Sequence, residues 1–311
     1  MSACEDRVGR QNLSTYFSEV RQEIETALRR HLLESRTSAN GYFNDALNSA
    51  IFPGGKRIRP VLTLLGAEIV GGNRTEVLSA AAAVEFVHNS SLVFDDLPCM
   101  DNASSRRGQP PLHQSFGEAT AILVALNLMN AAYDVMLKSS PNVERALRAH
   151  AELVECIGPN GMLGGQSVDL MSTSSQVAPF VEDASFEKFR NRKTSSLIQL
   201  SLRVGAILVG GSQRQLDALS RFAAAVGNAY QVVDDLRDRT EDAIRTGNGN
   251  HPPPFSNPRT ESCKRVVSNL IDEAKLAIEM EFGMKEHSLL LSEIADYVGY
   301  RVPEARLQSS N

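Results

Sequence analysis

The chain has 311 residues, 42% of them hydrophobic and 22% charged, with a formal net charge of −5. That is enough apolar sequence for one large core, and the acidic balance excludes a basic nucleic-acid-binding surface. The cysteines (Cys4, Cys99, Cys156, Cys263) are scattered without paired spacing, which excludes a disulfide framework and a cysteine zinc site. With no Trp and abundant Ala and Leu, the composition leans towards an all-α protein. Neither a basic-then-apolar leader nor an uninterrupted apolar run of about 18 residues is visible. The expectation is therefore a soluble, cytoplasmic protein without a transmembrane segment, folded as a single domain over 1–311.

In chain order, Leu13 to Leu33 carries apolar residues at helical spacing: Tyr16, Phe17, Val20, Ile24, Leu28 and Leu32. A shorter helix over Gly41 to Phe52 ends at the breaker Pro53-Gly54-Gly55. Lys56-Arg57-Ile58-Arg59 then leads into a helix through Ile69, with Pro60 near its start. A glycine turn with basic groups before a helix suits an anion, because the first N–H groups point outward and the dipole helps. Thr75 through Leu97 reads as one helix, apolar nearly all round in the middle, that Pro98 ends. His88, Ser90 and Ser91 interrupt it, and Ser91 and Asp95, four apart, share a face with His88 close by.

That helix runs into Asp95-Asp96-Leu97-Pro98-Cys99-Met100-Asp101, three carboxylates in seven residues. Hard oxygen ligands of this kind suit magnesium, completed by substrate phosphates. Helices follow over Gln114 to Leu137 and Val143 to about Ser172, the second carrying Gly164-Gly165-Gln166 with Asp169 on the face of Gln166. Each glycine there costs about 1 kcal/mol against alanine, which close helix contact or a bend would offset. Lys193-Thr194-Ser195-Ser196 lies in a segment over Ala184 to Val209. Leu216 to about Arg239 is another apolar helix, and it ends in Asp234-Asp235-Leu236-Arg237-Asp238. Residues 242–258, rich in Gly, Asn and Pro, read as a loop, and helices over Arg259 to Gly283 and Ser288 to Tyr300 close the chain.

Two helices that both end in acid clusters, with basic groups at 56, 59, 106, 107 and 193, fit a substrate with a diphosphate head and a hydrocarbon tail. Magnesium and the cations would stabilise diphosphate as a leaving group, and a dry apolar pocket would protect the allylic cation left behind. A helical bundle supplies such a pocket.

The sequence resembles the trans-isoprenyl diphosphate synthases, of the short-chain geranylgeranyl and farnesyl type. The resemblance rests on GGKRIRP (54–60), VHNSSLVFDDLPCMDNASSRRGQP (87–110), GGQSVDL (164–170), KTSSLI (193–198) and AYQVVDDLRD (229–238), in the family's order. It implies the all-α isoprenoid synthase bundle and the condensation of isopentenyl diphosphate with an allylic diphosphate. It also implies a homodimer and three Mg2+ ions bound with the allylic substrate. By the same resemblance Asp95, Asp96 and Asp101 are metal ligands, with Asp234, Asp235 and Asp238 as the second set. Lys56, Arg59, His88 and Arg107 match the isopentenyl diphosphate clamp; Arg106, Lys193, Thr194 and Gln231 match the allylic one. Asp95, Asp101, Lys193 and Asp234 are the expected catalytic core. In this family a bulky residue four or five positions before the first aspartate shortens the product. Ser91 and Ser90 are small, so the shaft is expected to stay open as far as Phe86, with twenty carbons favoured over fifteen.

Three departures stand out. Phe94 replaces the usual His, Ala125-Leu126 replaces a Gly-Asp, and RTGNGNHPPPFSNPR (245–259) lacks the family's lysine clamp, with Arg245 and His251 as the candidate substitutes. They keep open a class I terpene cyclase, another prenyltransferase, or a non-catalytic regulatory subunit. The isopentenyl clamp argues against a cyclase, and two complete acid motifs argue against a subunit freed from catalysis.

Overall fold

Asparagines set several helix starts. The side chains of Asn12, Asn40, Asn73 and Asn142 each accept a hydrogen bond from a backbone N–H two or three residues on, satisfying a donor that the first turn leaves free. The computed structural model describes residues 12–37, 40–52, 54–173, 192–245 and 258–299; the side chains of 172–173, 235, 237–245 and 258–260 fall outside that description. In order, the described helices are α1 (Leu13–Glu34), α2 (Gly41–Ile51), α3 (Ile58–Ile69), α4 (Leu78–Asp95) and α5 (Leu112–Phe116). They continue with α6 (Glu118–Leu137), α7 (Val143–Ile157), α8 (Met162–Thr173), α9 (Arg192–Val209), α10 (Gln213–Arg245), α11 (Pro258–Phe282) and α12 (Glu286–Gly299). Among the described residues there is no sheet, only an isolated bridge between Arg106 and Gln109.

Glycine and proline move several boundaries from where periodicity puts them. Gly117, at φ 82°, separates α5 from α6 within the expected helix over Gln114 to Leu137. The turn at Gly158-Pro159 splits Val143 to Ser172 into α7 and α8. The 3-10 turn Arg74–Val77, opened by Asn73 rather than Thr75, precedes α4. At the other end α10 stays helical to Arg245, four residues into the expected loop, whose positions 246–257 lie outside the described residues. So do 184–191 of the segment expected before α9.

Helix α9 is the axis. It packs against α3, α4, α7, α8 and α10, and its residues from Leu197 to Leu208 are nearly all buried. The α3–α9 crossing is closed by reciprocal glycines. A Cβ on Gly66 would lie 2.1 Å from the Leu202 carbonyl oxygen, and one on Gly205 would lie 2.0 Å from that of Thr63. Buried apolar side chains from both termini to the centre form one contiguous cluster. By length and composition, the segments Arg74–Asp95 and Glu118–Leu137 could cross a membrane, at mean hydropathies of 1.4 and 1.5. The first is a core helix, with Ala80 to Ala83 no more than 1% exposed. The second leaves Ile122, Leu123, Leu126 and Leu137 at the surface.

Candidate active site

The Gly54-Gly55 turn holds two guanidinium groups at once. A Cβ on Gly54 would meet the Arg57 guanidinium at 2.0 Å, and one on Gly55 would meet that of Arg107 at 3.2 Å. Arg57 then turns inward. At φ 55° its backbone is left-handed, and its side chain is fully enclosed by Glu25 Oε1 (2.9 Å), Glu85 Oε1 (2.7 Å) and the Ile51 carbonyl (2.9 Å). Arg57, to which the sequence reading assigns no role, is the keystone beneath its basic neighbours. The signal was Glu85, a carboxylate in the alanine-rich part of α4, which needs a buried partner.

Arg107, also left-handed at φ 54°, comes back to this turn from the loop after α4. Arg59, at the start of α3, donates from Nη1 to His88 Nε2 on α4 at 3.1 Å, which requires a neutral imidazole. Burial holds His88 well below its ordinary value, and Arg59, Arg107, Arg57 and Arg106 push it the same way. Burial likewise lowers Arg59 and Arg107. Neither arginine makes an ion pair among the described residues, and Arg59 Nε is enclosed without a hydrogen-bond partner. Half-buried Arg59 and exposed Arg107, two cations with no carboxylate on either, make a place for an anion.

A second cluster sits at the end of α4. The chain folds back after Pro98 so that Asp101 N donates to the Asp95 carbonyl at 2.9 Å, bringing the two side chains to one corner. Lys193 Nζ, from the first turn of α9, lies 3.1 Å from Asp95 Oδ2. Burial raises Asp95, Lys193 opposes that shift, and Asp101 adds to it. Asp96, only 3% exposed, turns to Arg106, whose Nε reaches Oδ1 at 2.9 Å while Nη2 closes a fork. Asp96 is therefore bound to Arg106, whereas Asp95 and Asp101 converge.

The first turn of α9 joins the acid motifs. Gly165 of α8 lets the backbone of Lys193 approach, with a would-be Cβ 2.6 Å from its nitrogen. Gly227 of α10 makes room for Ser195, with a would-be Cβ 2.6 Å from the Ser195 Cβ and 2.8 Å from its Cα. So α4 and α10 each pack on α9, whose first turn carries Lys193 and Thr194. Asp234 and Gln231 are half-buried on α10, and Tyr230 beside them lies within electrostatic reach of Arg59. The side chains of Asp235 and Asp238 lie outside the described residues, as does His251. The amide of Gln166 is enclosed without a hydrogen-bond partner.

Among the described residues no three acid, histidine or cysteine side chains form a preassembled metal site. Magnesium uses one or two carboxylates and takes further ligands from substrate phosphates and water. Asp95 and Asp101 supply that kind of donor pair, with Asp234 on the α10 side.

On α4 the expected product-length positions differ from one another. Ser90 is fully buried and donates to the Ala125 carbonyl of α6 at 2.8 Å, so it faces a helix contact. Ser91 is half-buried and bonds back to the His88 carbonyl at 2.8 Å. Phe86 is fully enclosed.

The polyprenyl synthetase family model matches residues 40–250. The chain is 36% identical over 267 residues to the chloroplastic geranylgeranyl pyrophosphate synthase of Capsicum annuum, covering 83% of this chain and 71% of that protein. With geranylgeranyl pyrophosphate synthase 4 of Arabidopsis thaliana it shares 39% identity over 203 residues, 65% of this chain and 54% of the other. Its structure is similar, at a TM-score of 0.78 and 28% identity, to the apo FPP/GFPP synthase of Zymomonas mobilis, covering 92% of this chain and 98% of that one.

Proposed function

The chain belongs to the polyprenyl synthetase family, and from that premise we propose that it is a prenyltransferase joining isopentenyl diphosphate to an allylic diphosphate. The observation that carries this reading is the pair of separate head sites. One is the cationic cradle of Arg59, His88 and Arg107, to which we assign Lys56 by its place in the same glycine turn; the other is the acid corner of Asp95 with Lys193 and Asp101. A reaction between two diphosphates needs two such places, held apart by a fixed distance.

The cradle holds isopentenyl diphosphate, which keeps its head throughout. Asp95 and Asp101, with Asp234, would hold the magnesium ions, three by family resemblance, which would supply the Lewis-acid charge that makes the allylic diphosphate a leaving group. Lys193, Arg106, Thr194 and Gln231 bind the same diphosphate and stabilise the charge it gains as the C–O bond breaks. The isopentenyl double bond then attacks the allylic carbon, and a proton is lost to the released diphosphate.

The small residue at Ser91 leaves room for a product of twenty carbons, with fifteen next. Ser91→Phe should shorten it; Ser90→Tyr should also displace α6 and lose about 1–3 kcal/mol by overpacking. Chain lengths formed from isopentenyl diphosphate and each allylic primer test both, and an unchanged profile in Ser91→Phe sinks the assignment.

The working form is a homodimer. Ile122, Leu123, Leu126 and Leu137 of α6 continue into Val143, Leu147 and Val154 of the adjoining α7 as one exposed apolar stripe. Such a stripe is what a twofold interface covers.

A further inference from the structure

We propose that Tyr297, on the last helix, is a positioning residue that presents Lys56 to the diphosphate of isopentenyl diphosphate. The inference rests on the assignment of Lys56 to that head site. Lys56 is exposed and makes no ion pair among the described residues, so its flexible stem has little else to hold it. Its ammonium donates to Tyr297 Oη and sits 4.7 Å from the centroid of the same ring.

Two features make this contact a presenter. The phenol oxygen takes one of three ammonium donors and leaves two for phosphate oxygens. It is also neutral, so it orders the cation without cancelling its charge, unlike the carboxylates that hold Lys193 and Arg106.

Tyr297 is itself well anchored. Glu293 of α12 accepts from Leu13 N at the start of α1 at 2.9 Å, and Asp296 pairs with Lys275 of α11 at 2.5 Å. Ile294 and Val298 flank the tyrosine in the core. The end of the chain thus braces a residue 241 positions earlier, which no local motif records.

The test is a double-mutant cycle on isopentenyl diphosphate affinity, read by calorimetry so that it does not depend on turnover. Tyr297→Phe should weaken isopentenyl diphosphate by about 3- to 10-fold, the loss of one hydrogen bond, and Tyr297→Leu by more. Geranyl diphosphate affinity should stay within about twofold. With Lys56→Met in place, Tyr297→Phe should have no further effect. In turnover, KM for isopentenyl diphosphate should rise while kcat holds. Unchanged or tighter binding in Tyr297→Phe, or an equal loss with Lys56 already replaced, overturns the proposal alone. Wild-type affinity in Lys56→Met overturns the assignment of Lys56 and the proposal with it.

Discussion

Arg57 and Arg59 show how far two neighbouring residues of one type can diverge. Arg57 satisfies two carboxylates and a carbonyl inside the protein, whereas Arg59 points an unpartnered N–H into the cradle. Removing Arg57 leaves Glu85, 2% exposed, as a buried charge without its partner. Arg57→Ala should therefore cost about 3–5 kcal/mol in urea unfolding; a loss within experimental scatter would show that the pair does not hold the turn. His88 gives a pH signature. Its folded value lies well below the ordinary 6.5, so between the two the unfolded chain binds more protons and stability rises with pH. The contribution is present above about pH 6.5 and is lost as pH falls through that window, at up to about 1.4 kcal/mol per unit. His88→Asn should flatten that slope between pH 7 and 5; an unchanged slope would place the titration elsewhere. Charge singles out Lys56, Arg59 and Asp95 in the sequence, and the family resemblance adds His88. The inward turn of Arg57 was not legible there, because it depends on a left-handed backbone and on Glu25, a helix away.

At the scale of elements, the glycines of α3, α8, α9 and α10 matter more than their propensities suggest. Each marks a place where another backbone or side chain comes within what a Cβ would occupy. Gly205→Ala drives a methyl to 2.0 Å from the Thr63 carbonyl oxygen. It should cost about 1–3 kcal/mol as α3 and α9 separate, and it should raise KM for both substrates, since Arg59 and Lys193 start those two helices. Full stability in that variant would contradict the packing described. Most helices are readable from 3.6-residue periodicity, but α9, whose first turn is polar, reads only as a segment, and the breaks at Gly117 and Gly158-Pro159 do not show because apolar spacing continues across them. The role of α9 as the axis was hidden for a related reason. Periodicity reports that a helix is buried, but not which helices bury it.

Over the whole molecule, α9 is the core axis on which both proposed head sites rest, and α6 and α7 carry exposed apolar side chains that the proposed dimer would cover. Leu123→Asp with Leu147→Asp should convert a dimer to a monomer in sedimentation; a monomeric wild-type protein would remove the dimer from the account. The departure at 245–259 bears on rate. A missing cation contact to the allylic diphosphate would cost about 1.5–3 kcal/mol if felt in the transition state. The most direct test of the account is chain extension by the purified protein, with magnesium, labelled isopentenyl diphosphate, and dimethylallyl, geranyl or farnesyl diphosphate as primer. The account predicts magnesium-dependent short-chain all-trans products, twenty carbons foremost, abolished by Asp95→Ala and by Lys193→Ala. Absence of extension from every primer by the folded protein would contradict it.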